Sequence, residues 1–171
     1  MTTQVEIGSA FRNVEEALRA MPERGVGTQT SVATVADGLR CEVREGDWTM
    51  SVDMPEVAGG SASAPTPGVY GRAALGSCLA LTYKMWASKE GIEVERLEVE
   101  VEADADDGVI FGTSDGPAGY SEVRYRVRVH SSADEADIVR VIDEAERHSP
   151  YLDVFARPQQ LVRHIDITTP D

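Results

Sequence analysis

The sequence predicts an α+β protein in which helices pack against antiparallel sheet, and three features carry that expectation. Two regions alternate polar and apolar residues strictly, a long stretch between them is apolar nearly all round, and strand and helix runs are segregated rather than interleaved. The expected order is a helix, three strands, a long helix, two strands, a helix and a final strand.

Each element has its own signal. Phe11, Val14, Leu18 and Met21 fall on helical spacing over residues 9–21, and Pro22 ends the pattern. An N-terminal amphipathic helix and loop, residues 1–27, is thus expected before a single domain over 28–171. Residues 28–36 read as a strand closed by the Asp37-Gly38 turn. Leu39, Cys41 and Val43 then share one face against Arg40, Glu42 and Arg44, and Trp48, Met50 and Val52 repeat the alternation after Gly46-Asp47. These segments predict a three-stranded meander with one apolar face. Residues 55–68 hold three prolines and three glycines and read as a loop.

From Val69 to Glu90 the residues Ala73, Leu75, Cys78, Leu79, Leu81, Thr82, Met85 and Trp86 cover several faces of one helix. Such a rod spans about 33 Å. A helix apolar on all sides is buried on all sides, and a domain this small cannot surround it alone, so a second copy is expected to cover the remaining face. Gly91 supplies the C-cap.

Leu97, Val99, Val101 and Ala103 alternate with Glu98, Glu100 and Glu102, and Val123, Tyr125, Val127 and Val129 alternate with Arg124, Arg126 and Arg128. Antiparallel pairing sets the glutamate ladder beside the arginine ladder on the wet face. Each exposed pair contributes roughly 0.2–1 kcal/mol, so the larger effect is on register. Ser132-Ala133-Asp134-Glu135 reads as a capping box. It opens a helix with the stripe Ile138, Val141, Ile142 and Ala145; Arg147 and His148 lie in its last turn and Pro150 stops it. Residues 161–167 read as the last strand.

A length of 171 residues fits one domain with a real core. A net charge of −14 disfavours nucleic acid and anionic membranes as partners. No apolar run reaches the roughly eighteen residues of a membrane helix, and the N-terminus lacks the basic and apolar regions of a signal peptide. Two cysteines make no disulfide framework. The expectation is a cytoplasmic protein with reduced thiols and no cofactor.

The strongest chemical candidate is Cys78, a thiol on the apolar helix introduced by a Gly-Gly and Pro-x-Pro loop. From helix position alone a packing role is the commoner one. Reactivity needs a cation brought to the sulfur by another segment, because Cys78 lies about three turns into the helix. Cys41, between Leu39 and Val43 on a strand's apolar face, reads as structural. His130, His148 and His164 have no metal-ligand spacing. The acidic loop from Asp104 to Asp115 lacks the order of a calcium loop.

The stretches DMPEVAGG (53–60), PTPG (65–68), AALGSCLAL (73–81), GIEVERLEVEV (91–101) and AERHSP (145–150) together resemble the OsmC/Ohr family, the osmotically inducible and organic-hydroperoxide-resistance proteins. The resemblance runs from about residue 31 to residue 167. It implies an intertwined homodimer, with two long central helices packed together and sheets from both chains wrapped around them. It also implies thiol peroxidase chemistry. Cys78 matches the peroxidatic cysteine, which becomes a sulfenic acid, and Ser149 matches the resolving cysteine, so the intramolecular disulfide cycle is absent. The family's loop carboxylate is missing, since Pro67 is followed by Gly68 and Val69. Arg40 is the nearest match to the family's activating arginine, and Arg72 is a second candidate cation. Gly76 and Ser77 beside Cys78 are expected to leave room for a ligand. Three readings follow: a hydroperoxide reductase using Cys78 alone with an external thiol reductant, a dimer that binds a small apolar ligand or acts as a redox sensor, and a structural dimer in which Cys78 only packs.

Overall fold

The computed structural model describes residues 2–169. Helix α1 (Gln4–Ala20) starts five residues before the expected 9–21, because Thr3 and Glu6 form a capping box in which each side chain accepts the other's backbone N–H. It lies on the second half of the long helix α2 (Pro67–Glu90). Gly8 makes the close approach possible, since a Cβ there would collide with the Ser88 carbonyl. Gln4 ties the helix down. Its Oε1 accepts from Lys84 Nζ at 2.7 Å and from the Val94 amide at 3.2 Å, while its Nε2 donates to the Ile92 carbonyl.

Strands β1 (Val32–Val35), β2 (Cys41–Glu45) and β3 (Trp48–Val52) form an antiparallel meander in which Cys41 pairs with Val35 and Val52. Its first strand is shorter than the expected 28–36. The meander touches the rest of the chain sparingly, and Val32, Val35, Trp48 and Met50 are exposed. Its links to α2's approach include Tyr70 Oη donating to the Ser51 carbonyl at 2.8 Å and the Asp53 amide donating to the Pro65 carbonyl at 3.2 Å.

Asp53 organises the loop between meander and helix. Its buried carboxylate accepts from the hydroxyls of Ser61 and Ser63 at 2.6 and 2.8 Å, and from the amides of Met54, Ser61 and Ser63. These donors, the Ser61 hydroxyl foremost, hold the Asp53 carboxyl far below the usual carboxylate range. The loop thereby delivers Pro67 to the first turn of α2.

Helix α2 divides into opposite faces. Leu75, Leu79, Tyr83 and Ala87 are buried at i, i+4 spacing. Val69, Ala73, Ser77, Leu81 and Met85 form the opposite ridge and are exposed, Leu81 at 64%. The buried face packs on the hairpin of β4 (Arg96–Asp104) and β5 (Glu122–His130), and on α4 (Glu135–Glu146) and α5 (Pro150–Ala156). Gly91 ends α2 with φ +73°. The β4–β5 register sets Glu98 opposite Arg128, Glu100 opposite Arg126 and Glu102 opposite Arg124, as the alternation predicts. Arg128 bridges Glu98 and Glu100 at 2.6 Å, and Arg124 gathers Glu102, Asp104 and Glu122. A single turn, α3 (Asp107–Ile110), interrupts the acidic loop, with Asp106 accepting from the Gly108 amide at 2.8 Å.

Three expectations are corrected. The Ser132 capping box does not form: Asp134 holds the N-cap position of α4 with no side-chain bond, and Ser131 is the serine that binds backbone, accepting from the Ala133 amide. Pro150 does not merely stop α4, since it opens α5 at the first helical position. Residues 161–167 form no strand in this chain; Leu161, Val162, Ile165 and Ile167 are exposed. Alternation makes a segment competent to pair, and pairing needs an edge that offers its N–H and C=O groups. Among the described residues no helix is long and apolar enough to cross a membrane.

Asp53 gives the fold an acid-sensitive joint. A carboxyl whose folded value is depressed contributes stability that is present above its unfolded value of about 3.9 and is lost as pH falls toward its folded value. Asp53→Ala should therefore lower the urea midpoint at neutral pH, and its deficit against the unsubstituted protein should shrink as pH is taken below about 4. Urea denaturation of both proteins across that range checks this.

Candidate functional site

Cys78 occupies the middle of α2, on the flank between the buried face and the exposed ridge, and is half-buried. Its sulfur faces the corner between α4 and α5. Ser149 is buried there, and its Oγ stands 3.6 Å from Cys78 Sγ. This is the one hydrogen-bond partner of Cys78 Sγ among the described residues. The sequence pair Cys78 and Ser149, 71 positions apart, is thus brought together.

The corner is fixed from both sides. The amides of His148 and Ser149 donate to the carbonyls of Ala145 and Glu146, winding α4 down. Glu146 then anchors the end of α4 to two other elements, because its Oε1 accepts from Tyr83 Oη of α2 at 2.8 Å and from Tyr125 Oη of β5 at 2.9 Å. Burial, with the Glu146 carboxylate beside it, pushes the Tyr125 hydroxyl up to about 12 and that of Tyr83 higher still. Both phenols stay protonated and keep donating. Alternation and helix spacing place Tyr83, Tyr125 and Glu146 on three separate elements, so no local pattern marks them as a set.

The candidate cations lie elsewhere. Arg40 donates to Ser51 Oγ at 3.4 Å and to Ser63 Oγ at 3.3 Å, which ties it to the meander and its loop. Arg72 extends back along α2, its guanidinium beside Gly68, in the direction helical side chains take. Neither reaches Cys78 within this chain. The space expected at Gly76 is occupied, since a Cβ there would come 3.2 Å from Val101 Cγ2; the glycine lets α2 approach β4. Ser77 is exposed on the bare ridge. Cys41 is a second free thiol, on β2 of the meander.

His148, adjacent to Ser149, stacks on Trp86 at 4.8 Å between ring centroids and meets Glu144 at 3.3 Å. Phe11 of α1 packs edge-on against the same Trp86 at 5.1 Å, and Lys89 Nζ lies 4.2 Å above its ring. A groove of about 710 Å³ runs between α1 and α2 here, lined by Phe11, Val14, Leu18, Met85 and Trp86, and Cys78 is not among its lining residues. Among the described residues no His, Cys, Asp or Glu cluster is arranged to hold a metal ion.

The arrangement gives a thiol one hydroxyl neighbour and no second sulfur. Sγ and Oγ at 3.6 Å are near enough that two sulfurs at these positions would bond with a small side-chain adjustment. Ser149→Cys is expected to form a disulfide to Cys78 on mild oxidation, read as the loss of two hydrogens in the intact mass and as a crosslinked peptide pair in the digest.

The family model for OsmC-like proteins matches residues 59–162, which include Cys78 and Ser149. No curated protein matches the sequence. Solved structures share the fold. An OsmC-like protein from Mycoplasma pneumoniae superposes with a TM-score of 0.65 at 17% identity, over 76% of this chain and 88% of that one. A hypothetical protein from Aquifex aeolicus gives 0.61 at 11% identity, over 77% and 89%. An organic hydroperoxide resistance protein from Elizabethkingia anophelis gives 0.57 at 16% identity, over 75% and 87%. With more than half of its length matched by the family model, and the meander, long helix, hairpin and paired helices in order, the chain belongs to the OsmC-like family.

Proposed function

We propose that this protein reduces organic hydroperoxides through Cys78 alone, with an external thiol as reductant, and that it works as a homodimer. The observation that carries the reading is the 3.6 Å contact between Cys78 Sγ and Ser149 Oγ. It sets a hydroxyl where a second thiol would have to stand to close an intramolecular cycle. Solved relatives named organic hydroperoxide resistance proteins, from Elizabethkingia anophelis and Legionella pneumophila, support the substrate class.

The chemistry divides into two steps. The Cys78 thiolate attacks the outer oxygen of the hydroperoxide; the O–O bond breaks, the sulfur is oxidised to a sulfenic acid, and the alkoxide leaves and takes a proton from solvent. Serine does not condense with a sulfenic acid to a disulfide, so the oxidised sulfur waits. An outside thiol then attacks it, releasing water and forming a mixed disulfide, and a second thiol frees Cys78 as the outside disulfide departs. The waiting sulfenic acid is also the state a redox sensor needs, and Ser149 favours that second reading equally.

Three uncovered surfaces support the homodimer. One is the ridge Val69, Ala73, Ser77, Leu81 and Met85 on α2. Another is the meander, with Val32, Val35, Trp48 and Met50 exposed, and the third is the unpaired segment bearing Leu161, Val162, Ile165 and Ile167. Each buried aliphatic side chain contributes about 1.5–3 kcal/mol, and a soluble monomer rarely leaves this much apolar surface bare.

Two measurements test the reading. One equivalent of an organic hydroperoxide with a dimedone-type trap should give a rapid stoichiometric adduct on Cys78 and none on Cys41, and Cys78→Ser should abolish it while leaving the fold intact. Labelling no faster than that of a free thiol overturns the activity. Leu81→Asp should convert the dimer to a monomer by light scattering, and an unchanged mass overturns the placement of the interface on the bare ridge.

A further inference from the structure

The Ser149 hydroxyl is used in an unusual way. Ser149 holds the N-cap position of α5, with φ −88° and ψ 111°, where a serine side chain ordinarily accepts from the helix's first free amides. Here it makes no capping bond. The residue is only 3% exposed, so the group lies out of reach of bulk solvent. Its backbone N–H and C=O are already engaged, by the Glu146 carbonyl and the Asp153 amide. Cys78 Sγ is the hydroxyl's one partner among the described residues.

A buried O–H left without an acceptor is costly. While Cys78 is a thiol, either group can donate, and both sulfur bonds are weak. Once the thiol has lost its proton to solvent, the sulfur is an acceptor only, and the hydroxyl is the sole donor of the pair. The bond then becomes charge-assisted and stronger. Arg40 and Arg72 are turned elsewhere in this chain, as their contacts with Ser51, Ser63 and Gly68 describe.

We propose that Ser149 is the donor that holds the reactive, ionised form of Cys78, so that the residue at the resolving position has become part of the nucleophile's activation. This deepens the hydroperoxide-reductase reading and rests on it for its biological purpose, but it concerns the thiol itself and is testable without peroxide.

The test is made in a Cys41→Ser background, where Cys78 is the one thiol. Alkylation by iodoacetamide at neutral pH and the ultraviolet absorbance of the thiolate are measured for Ser149, Ser149→Ala and Ser149→Thr proteins, with circular dichroism as the check on folding. Ser149→Ala should be alkylated about tenfold more slowly, as befits loss of a charge-assisted bond, and should lose thiolate absorbance. Ser149→Thr, which keeps the hydroxyl, should recover both. Ser149→Gly also lacks the donor and is well tolerated at an N-cap, so it takes the place of Ser149→Ala if that variant does not fold. Alkylation of the donor-less variant at the unsubstituted rate overturns the proposal. So does a slow donor-less variant that threonine fails to rescue, because packing would then be the cause. A protein that passes this test yet gives no sulfenic acid with hydroperoxide counts against the enzymatic reading and not against the Ser149 bond.

Discussion

The structure depends on one helix that is apolar on opposite faces. Leu75, Leu79 and Tyr83 bury one face of α2 against β4, β5, α4 and α5, and they form the heart of the core with Ala145. The other face, from Val69 to Met85, is as apolar and stays bare. A single chain of this size has enough mass to cover one side of a rod this long, and it spends its hairpin and its last two helices doing so. Outside that covering, α1 packs closely on the second half of α2, while the meander is held by few contacts. The proposed dimer follows from this imbalance.

The same helix explains where the chemistry sits. Cys78 lies on the flank between the two faces, half-buried, so its sulfur meets the inner elements while remaining near the open side. Gly76 draws α2 against β4, and Glu146 pins the end of α4 to Tyr83 and Tyr125. These contacts fix the α4–α5 corner, and the corner delivers Ser149. The site is thus made by helix packing rather than by a loop, which suits a group that must be held steadily against a sulfur.

Charge serves register more than stability. Arg124 and Arg128 each serve several carboxylates across β4 and β5, all largely exposed, so the energy per pair is small. A slip of one residue would set like charges on the core face and valines in water. The ladder therefore keeps Leu97, Val99 and Val127 turned toward α2. The excess of acid over base on the whole chain is carried by such surfaces.

By itself the sequence determined what depends on near neighbours: the pairing of the β4 and β5 ladders, the meander, and the extent of α2 with its Gly91 stop. Period-two and helical patterns are local, and the motifs around Cys78 and Pro150 are contiguous. Tertiary structure decided what depends on distant partners. It turned the Ser149 hydroxyl from a helix cap to a sulfur, filled the space beside Gly76 with Val101, sent Arg40 and Arg72 away from Cys78, and left residues 161–167 without the strand their alternation allows. The physical reason is common to all four. A side chain's type limits the bonds it can make, but which bond it makes is set by the groups that packing brings within reach.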